Sequence, residues 1–169
     1  MFTGKTHTVE FAFSGLGVNS HWGTPRNPWD SSVHRVPGGS SSGAGVSLIE
    51  GSAILAFGSD TAGSVRIPAS LTGTVGLKTT HGRWPLSGIV PLSPTLDTAG
   101  LLARTAADML FAFTAIDPQM QLSYGALLDQ ADNLDAAEIV IATAEPKLWQ
   151  DCDPGIAETV DTALSELGR

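Results

Sequence analysis

The stretch Gly58-Ser59-Asp60-Thr61-Ala62-Gly63-Ser64-Val65-Arg66-Ile67-Pro68 combines small residues, hydroxyl groups and a closing proline. A second segment of this kind, Gly38-Gly39-Ser40-Ser41-Ser42-Gly43, precedes it. Both place serine hydroxyls beside backbone N–H groups that no bulky side chain covers, as a nucleophile and its oxyanion require. None of the four histidines stands in a motif with a serine. The pattern therefore favours serine chemistry that a lysine assists, a known variant of the catalytic triad.

Together with their surroundings, these segments resemble the amidase signature family. The other stretches that carry the resemblance, in the family's order and spacing, are residues 4–12 (GKTHTVEFA), 23–29 (GTPRNPW), 75–79 (VGLKT), 82–83 (GR) and 91–100 (PLSPTLDTAG). The resemblance covers roughly the first 117 residues. It implies a hydrolase of carboxamides with a Ser–Ser–Lys triad and with neither a metal nor another cofactor.

The resemblance also implies roles for individual residues. Ser64 corresponds to the nucleophile, and Ser40 corresponds to a relay serine that the family holds on a cis peptide bond. Ser41 corresponds to a residue that supports this network. Asp60 and Arg66, in contrast, are interpreted as a structural pair that braces the turn.

The turn before Ser64 predicts an oxyanion hole. We expect a strand to stop at Gly58, and Asp60–Ser64 to turn into a short helix that Pro68 limits. Such a turn would aim the N–H groups of Ala62, Gly63 and Ser64 at one point near the hydroxyl. The resemblance adds Thr61 to this hole.

The third triad member in the family is an uncharged lysine well upstream of the Gly-Gly-Ser segment. The three lysines here, Lys5, Lys78 and Lys147, do not correspond to it. We therefore expect a central fragment of the family's mixed-sheet α/β/α sandwich, an α/β fold truncated at both ends and without its catalytic lysine.

Charge and glycine content divide the chain. Residues 1–100 carry a net charge of +1 and sixteen glycines, whereas residues 101–169 carry −9 and three glycines. We predict a signature core at 1–117 and an acidic helical and strand tail of the same incomplete domain at 118–169. The acidic balance argues against direct binding of nucleic acid. The single Cys152, and the lack of a long apolar run or signal peptide, predict a cytoplasmic protein without a membrane partner.

Local patterns predict further elements. A helix is expected over Val46–Glu50, and a buried strand over Ala53–Phe57. The later predictions are a helix capped by Thr105–Asp108 and ended by Asp117-Pro118, a strand at Glu138–Ala142, and a last helix beginning at Asp153-Pro154.

Three functions remain open from the sequence. The first is an amidase that acts on a small-molecule amide. The second is the glutaminase component of a tRNA-dependent amidotransferase, although Ile67 stands near the position where that component shows glutamine. The third is a non-catalytic truncated product, a portion of a larger assembly. The expected partners are the missing remainder of the amidase or a second copy of the chain.

Overall fold

The computed structural model describes residues 2–135, 139–143 and 151–167. The described part contains three strands, β1 (Leu55–Asp60), β2 (Val75–Lys78) and β3 (Thr98–Ala103), and five α-helices, α1 (Ser42–Ile49), α2 (Arg66–Thr72), α3 (Ala106–Ile116), α4 (Tyr124–Asp132) and α5 (Pro154–Leu167). The chain divides into two compact units, Met1–Leu128 and Asp129–Arg169. No helix among the described residues has the length and apolar character needed to cross a bilayer.

The three strands form one antiparallel sheet with β3 at its centre and the order β1-β3-β2. β1 pairs from Leu55 opposite Ala103 to Asp60 opposite Thr98. β2 pairs from Val75 opposite Ala103 to Lys78 opposite Gly100. The predicted α/β class is therefore confirmed, and the described strands pair antiparallel only.

Helices cover both faces of this sheet. Successive strand residues point to opposite faces, so the neighbours Leu101 and Leu102 enter different cores. Leu102 packs with residues of α1, β1 and α2 and with the residue that precedes α2, namely Ala44, Leu48, Ala56, Ala69 and Val65. Leu101 packs on the other face with Trp84, Ala103, Met109 and Ala112, the last two from α3. The result is a helix–sheet–helix layering within the first unit.

The first strand differs from its sequence prediction. The apolar run Ala53–Phe57 predicted a strand that stops at Gly58, but β1 begins at Leu55 and continues through Gly58 to Asp60. Pairing with β3 extends it, because Gly58 lies opposite Gly100 and the Thr98 hydroxyl donates to the Asp60 carbonyl at 2.9 Å. Phe57 is about half exposed, so the strand is buried on one side only.

Helix α2 also differs, because Pro68 lies inside it rather than at its end. A proline is tolerated in the first turn, where backbone N–H groups lack intrahelical acceptors. The helix ends at Thr72, and the following Gly73 takes the left-handed conformation with φ 68°. Glycine adopts this conformation without the steric cost that a Cβ would add.

The remaining predictions had mixed outcomes. The helix predicted at Val46–Glu50 is confirmed as α1, which begins four residues earlier at Ser42. Thr105 caps α3 by accepting the Asp108 N–H at 3.0 Å, and Asp153, directly before α5, accepts the Gly155 N–H at 2.9 Å. The strand predicted at Glu138–Ala142 is wrong for residues 139–142, which form no strand; Glu138 lies outside the described residues. A strand needs a neighbour for its hydrogen bonds, and this apolar run pairs with none in the described part.

A buried carboxylate fastens the end of α3 to the segment after β2. Asp117 accepts hydrogen bonds from Arg83 Nε at 2.6 Å and from Trp84 Nε1 at 2.8 Å. The Arg83 bond lowers the pKa of Asp117 to about 2 against the opposing effect of burial, and the bonds from Trp84 and Gln119 add to this lowering. The ionised form of Asp117 therefore stabilises the fold at neutral pH.

We predict that Asp117→Ala lowers the free energy of unfolding by about 3 kcal/mol at pH 7, because Arg83 and Trp84 lose their acceptor inside the fold. The lowered pKa means that this contribution is complete above about pH 4 and disappears as the pH falls towards 2. Urea unfolding of both proteins at pH 7 and pH 3 measures it. Asp129→Ala, which removes an exposed carboxylate, is the control and should change stability by less than about 0.5 kcal/mol. An Asp117→Ala protein as stable as the wild type at pH 7 would contradict this role.

Candidate active site

The structure brings the two serine-containing segments together. Ser64 lies in the turn between β1 and α2, and Ser40 and Ser41 lie at the start of α1. The Ser41 N–H donates to the Ser64 carbonyl at 3.2 Å, and Ser41 Oγ donates to the Ser59 carbonyl at 3.4 Å. Ser40, Ser41 and Ser64 are all buried. Ser41 is therefore the residue through which the two segments are joined.

Pro68 explains why the Ser64 carbonyl is available for this contact. In a continuing helix, this carbonyl would accept the N–H four residues later. Residue 68 is proline and has no N–H. The carbonyl of Ser64 therefore turns to Ser41, while the adjacent carbonyls of Gly63 and Val65 bond to Ile67 and Ala69 within the helix.

Asp60 holds the turn around Ser64 from inside. Its fully buried carboxylate accepts the N–H groups of Gly63 at 2.8 Å and Val65 at 3.0 Å. Arg66 adds two side-chain bonds, from Nη2 at 2.9 Å and from Nε at 3.1 Å. Asp60 and Arg66 thus brace the turn together, as the sequence predicted for this structural pair.

Electrostatics favour the ionised form of this carboxylate. Burial raises the pKa of Asp60, but the bonds from Arg66, Val65 and Gly63 lower it by more, and the pKa lies below its ordinary value. The Arg66 side chain is half exposed, so one end of the ion pair is solvated. Asp60 therefore carries a negative charge at neutral pH.

The segment that carries Ser40 is fixed by main-chain contacts. The peptide bond between Gly39 and Ser40 is cis, as the resemblance implied. The Val9 N–H donates to the Ser40 carbonyl at 2.9 Å, and the Gly43 N–H donates to the His7 carbonyl at 2.7 Å. Residues 7–9 thus run along this segment and bind it at two points.

The four residues of the expected oxyanion hole have different surroundings. The Gly63 N–H already donates to Asp60. Within the described residues, no hydrogen bond engages the N–H groups of Thr61, Ala62 or Ser64. Ala62 is exposed and Thr61 is half-buried, so one side of the turn faces solvent. The turn can therefore offer backbone donors to a group that arrives from outside.

The hydroxyls of Ser40 and Ser64 are not hydrogen-bonded to each other in the described part of the chain. Of the described lysines, Lys5 is exposed and Lys78 is half-buried on the edge strand β2. Lys147 lies outside the described residues. No hydrogen bond or ion pair within the described ranges connects Lys5 or Lys78 to either serine.

Two neighbours of the site were missed by the sequence analysis. Asp97 accepts the Thr61 hydroxyl at 2.5 Å, and His7 Nδ1 lies 3.0 Å from Ser42 Oγ. Both residues belong to stretches that carry the family resemblance, which is the signal that could have identified them. The described residues contain no group of three or more His, Cys, Asp or Glu placed to hold a metal ion.

Comparisons with known proteins show the family to which the chain belongs. The model of the family described as Amidase matches residues 1–169. A 2-amino-5-chloromuconic acid deaminase from Comamonas testosteroni is 58% identical over 166 residues, 98% of this chain and 35% of the relative. A glutamyl-tRNA(Gln) amidotransferase component from Carboxydothermus hydrogenoformans is 38% identical over 99% of this chain and 35% of its own length. The chain thus spans about a third of the length of these relatives.

Solved structures of an amidase and of a hydrolase also align with this chain, which indicates a shared fold. A crystal structure of an amidase aligns with 65% of this chain and 25% of its own, with a TM-score of 0.61 and 40% identity. A 6-aminohexanoate cyclic dimer hydrolase in complex with its substrate aligns with 71% of this chain and 26% of its own, with a TM-score of 0.61 and 36% identity.

We predict that Gly58→Ala disturbs the junction between the two segments. An ideal Cβ at residue 58 would lie 2.5 Å from Ser41 Oγ and 2.9 Å from Ser41 Cβ. Such overpacking should cost about 1–3 kcal/mol of unfolding free energy, measured by urea titration. The double variant with Ser41→Gly should regain part of this loss, because it removes both contacts. Gly125→Ala is the control, since its Cβ would meet nothing within 4 Å in α4. Equal effects of the two glycine substitutions would contradict the proposed crowding.

Proposed function

The chain belongs to the amidase family, and we propose that it carries the nucleophile of a hydrolase that releases ammonia or an amine from a small amide. The observation that carries this proposal is the Ser41 junction. It joins the turn of Ser64, in which the N–H groups of Thr61, Ala62 and Ser64 have no hydrogen-bond partner among the described residues, to the segment of Ser40.

In the proposed reaction, Ser64 Oγ attacks the carbonyl carbon of the substrate. The Ser64 proton passes to Ser40 Oγ, whose own proton passes to a base and then to the leaving nitrogen. Collapse of the tetrahedral intermediate breaks the C–N bond and leaves an acyl-Ser64 ester. Water then hydrolyses this ester and returns the proton to Ser64.

We propose that the N–H groups of Thr61, Ala62 and Ser64 stabilise the oxyanion. Gly63 takes part only by sharing the hydrogen bond that it donates to Asp60. The Thr61 hydroxyl donates to Asp97, so Thr61 contributes through its backbone. Removing one donor from an oxyanion hole typically costs about 10²–10³ in rate.

The relatives indicate a substrate class to test first. The relative at 58% identity is named for the deamination of 2-amino-5-chloromuconic acid, and those at 36–44% are amidotransferase components. Since Ile67 also departs from the glutaminase pattern, we favour a free-standing amidase whose substrate is a small acid that also carries a carboxamide. Glutaminase activity in an amidotransferase is the alternative. We further propose a cytoplasmic protein that binds no nucleic acid directly.

A serine-reactive fluorophosphonate probe tests the nucleophile without knowledge of the substrate. We expect the probe to label the protein on Ser64, Ser64→Ala to abolish the label, and Ser40→Ala to slow labelling by about 10²-fold or more. Mass spectrometry of peptides measures the modified residue. Ser70→Ala, which removes an exposed hydroxyl on α2, is the control and should label as the wild type does. A protein that resists the probe, or a label that persists in Ser64→Ala, contradicts the proposed function.

The described lysines provide a second prediction. Lys5→Ala and Lys78→Ala should leave the labelling rate within about twofold of the wild type, because no hydrogen bond or ion pair in the described part joins either side chain to Ser40 or Ser64. The release of ammonia from 2-amino-5-chloromuconic acid, simple aliphatic amides and glutamine should be measured beside it. A large loss in the Lys5→Ala protein would make Lys5 the base. Release from glutamine alone would favour the amidotransferase alternative.

A further inference from the structure

Asp97 is a buried carboxylate at the edge of the proposed oxyanion hole. It directly precedes β3, and its side chain accepts the Thr61 hydroxyl at 2.5 Å. It also accepts the N–H groups of Leu92 at 2.9 Å and Ser93 at 3.0 Å. The main chain of the same segment closes into a turn, because the Asp97 N–H donates to the Ser93 carbonyl at 2.8 Å. One carboxylate thus fastens residues 92–97 to Thr61.

The Thr61 contact is the strongest kind of hydrogen bond available to a hydroxyl. A hydroxyl that donates to a carboxylate gives bonds of about 2.5–2.7 Å, shorter and stronger than those between neutral groups. Burial raises the pKa of Asp97, but the bonds from Thr61, Ser93 and Leu92 lower it by more, and it lies below its ordinary value. The acceptor is therefore ionised at neutral pH.

The turn that carries Ser64 consequently has two independent carboxylate anchors. Asp60 holds its later part through the N–H groups of Gly63 and Val65. Asp97 holds its first residue through a side chain, which fixes the χ1 angle of the β-branched Thr61. The N–H groups of Thr61 and Ala62 lie between these anchors, so their direction depends on both.

From these contacts we infer that Asp97 is a positioning residue, which acts through the Thr61 hydroxyl to orient the backbone donors of the oxyanion hole. This inference rests on the proposed function, because it concerns the same site. Asp97 touches no reacting atom in this role. Its effect on the reaction is carried wholly by Thr61.

Three variants test the connection. Thr61→Val removes the hydroxyl but keeps the shape and the backbone N–H, Thr61→Ser restores the hydroxyl, and Asp97→Asn replaces the charged acceptor. Thr79→Val is the matched control, since this buried threonine donates to the Ala99 carbonyl at 3.0 Å and makes no hydrogen bond to residues 60–64 in the described part of the chain. Each variant is measured by amide hydrogen exchange at Gly63 and Val65 and by the rate of fluorophosphonate labelling.

We expect Thr61→Val and Asp97→Asn each to speed exchange at Gly63 and to slow labelling by about tenfold, and the double variant to be no worse than either single one. Thr61→Ser should recover most of the exchange protection and labelling rate that Thr61→Val loses, and Thr79→Val should change neither readout by more than about twofold. If Asp97→Asn does not fold, Thr61→Val compared with Thr61→Ser still decides the role of the hydroxyl.

Several outcomes would overturn the inference. These are additive losses in the double variant, an equal effect of Thr79→Val, or faster exchange in Thr61→Val without slower labelling. Failure of the proposed function gives a different result, because the wild type would then resist the probe. The exchange data would in that case still show whether Asp97 and Thr61 are coupled.

Discussion

The carboxylate of Asp60 is the constraint on which the site depends. It is fully buried at the end of β1, and a buried charge is tolerated only when its hydrogen-bonding capacity is filled. The chain fills it by curling the next residues back, so that Gly63, Val65 and Arg66 donate to the two oxygens. The tight turn that carries Ser64 thus supplies the backbone hydrogen bonds that stabilise the charge on Asp60. The ion pair with Arg66 therefore helps to hold the turn that carries Ser64.

Much of the first unit could be predicted from the sequence because local chemistry determines it. The Thr105–Asp108 cap and the end of α3 at Asp117-Pro118 each depend on residues a few positions apart. So does the start of α5 at Pro154 in the second unit, where the preceding Asp153 accepts the Gly155 N–H. The errors lie where distant residues decide. Pairing with β3 carried β1 past Gly58 to Asp60, and the apolar run at residues 139–142 formed no strand among the described residues. Whether an apolar run finds a strand to pair with cannot be read from the run itself.

The same distinction applies to the site. Ser40, Ser41 and Ser64 could be singled out because glycine-flanked hydroxyls are a local pattern, and the family resemblance supplied their expected roles. Asp97 could not be found from spacing, since its contact with Thr61 joins residues brought together only by the pairing of β1 with β3. The role of Pro68 was also misread. It does not end α2, and what matters is the N–H that it lacks, which leaves the Ser64 carbonyl to Ser41.

The central position of β3 determines when this sheet can form during synthesis. β3 is the last of the three described strands in the chain, yet it is the neighbour that both β1 and β2 require. A ribosome adds about 5–20 residues per second, so β1 and β2 emerge seconds before residues 98–103 are available to pair with them. During that interval both strands present unpaired backbone and apolar side chains, which is the surface that binds other chains. Nascent chains of this protein therefore pass through a stage at which crowding on the polysome favours aggregation and a chaperone that covers strand edges favours folding.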